Sequence, residues 1–216
     1  EAKKAVQRLR QAGWIVTNQL VFTAAASRRG HAAKLRRVLG EIGVLPYYTF
    51  TVKGYMENSH NFSPNARSVQ EQIEEKVFGQ LSEAAQRSLD EAVREPEQLP
   101  ERLDEIRDGE GLAFVASDRS VLNLPGVGKS MTFRTIGITR YGRRVLEFDH
   151  DATRVHSPII ERMGKVIIIE SKSISEYLRQ LQEIGERPED YEGLYGYSLG
   201  ETEPRMPIYE YPEFGF

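Results

Sequence analysis

Residues 122–130 read Leu-Asn-Leu-Pro-Gly-Val-Gly-Lys-Ser. Lys129 follows Gly126 and Gly128, and two chemistries use a lysine placed in this way. One is a phosphate loop, G-x-x-x-x-G-K-[ST], whose backbone N–H groups wrap phosphates while the lysine reaches them. Counting back from Gly128, its first glycine falls at position 123, where this chain has Asn123. A nucleotide-binding module is therefore disfavoured. The other is a Schiff base. The lysine amine adds to an aldehyde, and the glycines let backbone approach a cofactor. A surface lysine in a Gly-Pro turn stays open on the motif alone. Asp149, His150, Asp151 and His156 are metal-ligating types. Their spacing fits no standard site, and a polar turn after a strand is the plainer reading. His60 and Asn61 fall in a polar loop that could cover a site, but a solvated loop is the plainer reading.

The elements that would position these residues follow from periodicity. Ala5, Val6, Leu9 and Ala12 share a helical face that ends at Gly13, and residues 14–22 are a mostly apolar strand. Leu35, Val38, Leu39 and Ile42 mark a second helix, closed by Gly43. Residues 47–52 form a strand rich in aromatic and β-branched side chains. Helix, strand, helix, strand with short links predicts a parallel sheet of an α/β fold. Residues 54–64 are a polar loop. Val69, Ile73, Val77 and Leu81 then recur every four residues on a further helix. Residues 82–110 are strongly charged and predicted helical, interrupted near Pro96 and Pro100, as a solvated insertion. Leu112 to Ala116 is a short strand leading to the lysine motif. Residues 131–148 are expected to form a hairpin turning at Tyr141-Gly142. A strand over 165–169 and a helix marked by Ile174, Tyr177, Leu178, Leu181 and Ile184 follow. The tail from Gly185, with its prolines, tyrosines and glutamates, is expected to be irregular, packing across the fold or serving a subunit contact.

Composition bounds the function classes. The 216 residues are 39% hydrophobic and 28% charged with a net charge of −3, so neither a nucleic-acid partner nor a membrane-spanning helix is expected. There is no cysteine, which excludes a disulfide framework and any thiolate-held metal or cluster within the chain. By default the compartment is expected to be the cytoplasm. Glu1 to Val6 read as the interior of a helix without a targeting signal. A piece of a longer chain is expected, with a processed terminus as the plain alternative.

Three stretches in order, residues 17–22 (TNQLVF), 43–62 (GVLPYYTFTVKGYMENSHNF) and 122–130 (LNLPGVGKS), resemble the C-terminal half of the lysine 2,3-aminomutase family of radical SAM enzymes. The resemblance covers roughly residues 1–150. It implies an α/β fold, specifically the C-terminal half of a partial TIM-type (β/α) barrel, with a C-terminal pyridoxal-phosphate-binding β segment and an α/β extension. The expected organisation is barrel units over 1–81, the charged insertion over 82–110, the strand, cofactor lysine and hairpin over 111–150, and the extension and tail over 151–216.

The resemblance also implies cofactors and roles. Lys129 corresponds to the lysine that condenses with the aldehyde of pyridoxal phosphate, with Gly126 and Gly128 beside the cofactor. The motif has one glycine fewer than the family's. Gln19 corresponds to a position contacting S-adenosylmethionine, and Asn18 would lie on the opposite face of a regular strand. The ligands of the [4Fe-4S] cluster, a C-x-x-x-C-x-x-C set, would lie upstream of this chain, so the fragment alone is expected to be inactive. Where the lysine enzymes keep two aspartates on the substrate's terminal ammonium, this chain has Lys53 and Asn123. A cation and an amide suit a carboxylate instead. The resemblance thus implies an isomerase, most closely the branch converting L-glutamate to 3-aminoglutarate. A reductant for the cluster is implied, and a homo-oligomer is left open. Lysine as substrate and a noncatalytic fragment are the alternatives.

Overall fold

The computed structural model describes residues 1–52, 59–75, 81–112, 131–150, 158 and 162–197. The chain is α/β. Helix α1 (Ala2–Gln11) leads through Gly13 into β1 (Val16–Val21), and α2 (His31–Glu41) leads through Gly43 into β2 (Val44–Phe50). Both glycines adopt positive φ, 81° and 74°, and so end their helices in the left-handed conformation that other residues avoid. At Gly43 a second constraint applies. A Cβ there would come within 2.7 Å of the Arg10 side chain.

β1 and β2 are parallel, joined by the α2 crossover as the alternation predicts. Their register runs Val16↔Val44, Asn18↔Pro46, Gln19↔Tyr48 and Val21↔Phe50, with one extra residue on β2 beside Pro46. Proline has no N–H for the ladder, and the irregularity falls beside it.

The charged segment folds as α4 (Glu83–Ala92), a 3-10 turn (Pro96–Gln98) and α5 (Leu99–Gly109). Pro96 and Pro100 sit in the first turns of the 3-10 turn and of α5, where no helical N–H is needed. The expectation of a solvated insertion is corrected on one face. Ala85, Ala92, Leu99, Leu103 and Ile106 are buried together, with Leu45 packed against them. Arg10, at the end of α1, pins this unit in place. Its Nε donates to the Pro96 carbonyl at 2.6 Å, its guanidinium also to the Glu97 carbonyl, and Nη1 to the Ile42 carbonyl at 3.4 Å. The ends of α1 and α2 lie where the strands begin, so α4 and α5 pack at the amino end of the sheet.

The carboxyl end is covered differently. β3 (Met131–Ile138), β4 (Arg144–His150) and β5 (Val166–Ile169) form an antiparallel sheet in the order β3-β4-β5, and the hairpin turns where Tyr141-Gly142 predicted. One face of this sheet, with Leu146, Phe148, Val166 and Ile168, packs against α6 (Ile174–Glu183) and a 3-10 helix (Pro188–Tyr195). Ser173 and Glu176 close a reciprocal capping box at the start of α6. The expectation of an irregular tail is corrected as far as Tyr197. Tyr191, Leu194 and Tyr197 are core residues, and Tyr177 meets Tyr191 edge-on at 6.4 Å.

Candidate functional site

Lys129, Gly126, Gly128, Asn123 and Lys53 lie outside the described residues, as do Asp151 and His156. Gln19 is described. Burial alternates along β1 from Val16 to Leu20, so that Val16, Asn18 and Leu20 are half-buried on one face while Thr17 and Gln19 are exposed on the other. Asn18 and Gln19 therefore face opposite ways, as expected of a regular strand.

Beyond β1 the chain builds the carboxyl edge of the sheet. Thr23 bridges Phe62, Ala24 N–H donates to the Asn61 carbonyl at 2.8 Å, and Ser63 N–H donates to the Phe22 carbonyl at 3.1 Å. The loop with His60 and Asn61 is thus tied to the end of β1. In parallel α/β sheets this is the edge where ligands bind.

A buried ion network stands behind that edge. Helix α3 (Asn65–Gln70) is buried along its whole length and passes into one π-helical turn, Glu71–Glu75. The wider turn directs Glu71 to Arg36, Glu74 to Arg29, and Glu75 to both Arg29 (3.2 Å) and Arg67 (2.5 Å). Arg67 is fully buried. Its Nε donates to the Ser27 carbonyl at 2.8 Å, and its guanidinium lies over Phe22 and Tyr191 at 5.5 and 5.7 Å. Burial alone would lower the Arg67 pKa, but Glu75 and its neighbours raise it overall, so the cation persists. A network of this kind holds only when each charge keeps its partner.

The C-terminal elements join the same network. Ser27 Oγ and Tyr177 Oη are 2.6 Å apart, the Arg29 N–H donates to Tyr191 Oη at 2.8 Å, and Tyr197 Oη donates to Glu74 at 2.5 Å. Glu170, just past β5, accepts the Asn65 N–H at 2.7 Å and so caps α3. Helix α3 and its π turn are in this way clamped between the β1–α2 loop and the last third of the chain.

A cavity of about 320 Å³ opens at this junction, lined by Ser59 and His60 on one side and by Lys172 and α6 on the other. Lys172 is 3% exposed and donates to Gln180 Oε1, and Gln180 Nε2 donates to the His60 carbonyl at 3.3 Å. Sequence reasoning missed Lys172, the arginine network, Tyr191 and Tyr197. The only local signal near Lys172 was Ser-x-x-Glu at 173–176, which marks a helix start and not a buried lysine. Among the described residues, no group of three or more His, Asp or Glu could hold a metal ion, and no helix is long and apolar enough to cross a membrane.

No family model matches the chain, and no solved structure matches it. It is similar to an uncharacterized KamA family protein of Methanocaldococcus jannaschii, at 30% identity over 201 residues. The match takes in 91% of this chain and 26% of that protein. The chain thus spans about a quarter of the length of the curated relative that it matches, and over nine-tenths of its own length it is related to a KamA family protein.

Proposed function

We propose that this chain is part of a radical SAM, pyridoxal-phosphate-dependent 2,3-aminomutase whose substrate is L-glutamate and whose product is 3-aminoglutarate. The observation that carries the reading is the similarity to a protein of the KamA family, that of lysine 2,3-aminomutase, over 91% of the chain, beside the three motifs read in order. The parallel βα units agree with a segment of a partial barrel, and Gln19 lies on the exposed face of β1. Within the enzyme, pyridoxal phosphate and the cluster with S-adenosylmethionine supply the electron sink and the radical. The chain has no cysteine, so the cluster thiolates come from another part of the whole protein. Lys129 holds the pyridoxal phosphate covalently, with Gly126 and Gly128 allowing close backbone approach. Lys53 pairs with the substrate's distal carboxylate, and Asn123 donates a hydrogen bond to it. Gln19 contacts S-adenosylmethionine.

Two measurements on the full-length protein test this. Borohydride reduction in the presence of pyridoxal phosphate, followed by peptide mapping, is expected to place the label on Lys129. A label on another lysine, or none, removes that assignment. The reconstituted protein, offered glutamate and lysine, is expected to make 3-aminoglutarate. Formation of β-lysine alone would overturn the substrate and with it the roles of Lys53 and Asn123.

A further inference from the structure

The cavity between His60 and α6 holds a feature that neither the motifs nor the proposed reaction use. Lys172 is nearly enclosed, and its ammonium has three N–H donors and no acceptor. The one acceptor it meets, Gln180 Oε1, is neutral. Its other close neighbour is the Tyr177 ring, 6.0 Å away. Among the described residues no carboxylate lies within ion-pair distance of Lys172, in contrast to Arg29, Arg36 and Arg67, each of which has a buried glutamate. A buried cation ordinarily recruits a counter-charge. Here the carboxylate that acts on the cation, Glu176, stays beyond ion-pair distance, and a cavity opens beside the ammonium instead.

The acidic groups on the cavity wall do not fill that need. Glu176 holds one carboxylate oxygen, Oε2, on the α6 cap, where it accepts the Ser173 N–H at 2.7 Å and the Ser173 hydroxyl at 3.0 Å. Glu183 is exposed, one helical turn beyond Arg179. Arg179 is also exposed and lines the cavity, and among the described residues no ion pair holds it. It is placed to swing over an occupant. Gln180 is fixed at both ends of its amide, by Lys172 and by the His60 carbonyl, so the wall is preorganised.

We propose that this cavity is a binding site for a small oxyanion, carboxylate or phosphate, with Lys172 at its floor and Arg179 closing from the rim. At about 320 Å³ it suits a dicarboxylate or a small phosphate ester. Because the site uses neither Lys53, Asn123 nor Lys129, it stands or falls separately from the aminomutase reading.

The test is protection of Lys172 in the full-length protein. Reductive methylation with formaldehyde and cyanoborohydride is followed residue by residue by mass spectrometry, without and with inorganic phosphate or glutarate. One of the two anions is expected to slow methylation of Lys172 about fivefold or more while leaving the half-exposed Lys165 unchanged, and the one that protects identifies the source of the oxyanion. The near-isosteric Gln180→Glu places a carboxylate of the protein itself against Lys172. The variant is expected to fold and to lose the protection. Titration calorimetry supplies a second readout, in which Lys172→Met is expected to bind one anion fewer than the parent. Absence of protection by either anion overturns the proposal, as does protection that survives Gln180→Glu, or identical isotherms for Lys172→Met and the parent.

Discussion

Two neighbouring residues on β1 show how much one side-chain direction decides. Asn18 and Gln19 are both amides, and strand geometry turns them to opposite faces. Of the two, only Gln19 lies on the exposed face, so its substitution tests binding apart from packing. In the full-length protein, Gln19→Ala is expected to change stability by no more than about 0.5 kcal/mol. It is expected to weaken S-adenosylmethionine binding by about tenfold, the worth of one hydrogen bond. Equilibrium dialysis with the labelled cofactor and urea unfolding measure the two effects. Unchanged cofactor affinity would detach Gln19 from that role. Lys172 is the contrasting case. Its sequence neighbours gave no hint of burial, because the neutral partner Gln180 and the covering His60 loop are 8 and 112 residues away in the chain.

Among the elements, α5 corrects the simplest reading of a charged segment. Its charges are solvated on one side, but Leu99, Leu103 and Ile106 recur at helical spacing and face the start of the sheet. Leu103→Ala is therefore expected to cost about 2–5 kcal/mol of unfolding free energy, as for any fully packed leucine. A loss below about 0.5 kcal/mol in urea unfolding would mean that the segment is the solvated appendage its composition suggests. The start of α6 is a smaller case of the same kind. Ser173→Ala removes the cap from the Glu176 N–H and is expected to cost about 1 kcal/mol. Helix α3 was legible as a helix from Val69 and Ile73, but its passage into a π turn was not. That turn answers to Arg29 and Arg36 from another part of the chain and to Arg67 from α3 itself.

At the level of the whole molecule, buried ionisable groups give stability a pH dependence of definite sign. Burial lowers the Lys172 pKa from its usual 10.5 to about 8, although Glu176 offsets part of the shift. Between these values the unfolded chain binds a proton that the folded chain has released, so stability rises with pH across that window. The buried tyrosines act oppositely. Burial pushes Tyr177 up to about 12 and raises Tyr191 and Tyr197 as well, so above about pH 10 the folded chain holds protons the unfolded chain loses. Thermal melts in buffer free of carboxylate and phosphate are expected to rise from about pH 8 and to fall beyond about pH 10. Lys172→Met is expected to remove the rise and leave the fall. A rise that persists in the variant would place its origin elsewhere.

Local pattern determined most of the elements. Apolar spacing marked the helices, the glycines at 13 and 43 ended two of them, and the βα alternation specified a parallel pair. These signals lie within a few residues of one another, where backbone preference and the burial of one face act directly. The motif around Lys129 and the resemblance built on it were also legible, since they depend on residue types in order. The arginine–glutamate network, the burial of Tyr191 and Tyr197, and the enclosure of Lys172 were decided only by the tertiary structure. Each depends on contacts between segments far apart in the chain. The free energy of a buried charge is set by what surrounds it in space, and a charged side chain in sequence carries no record of its partner.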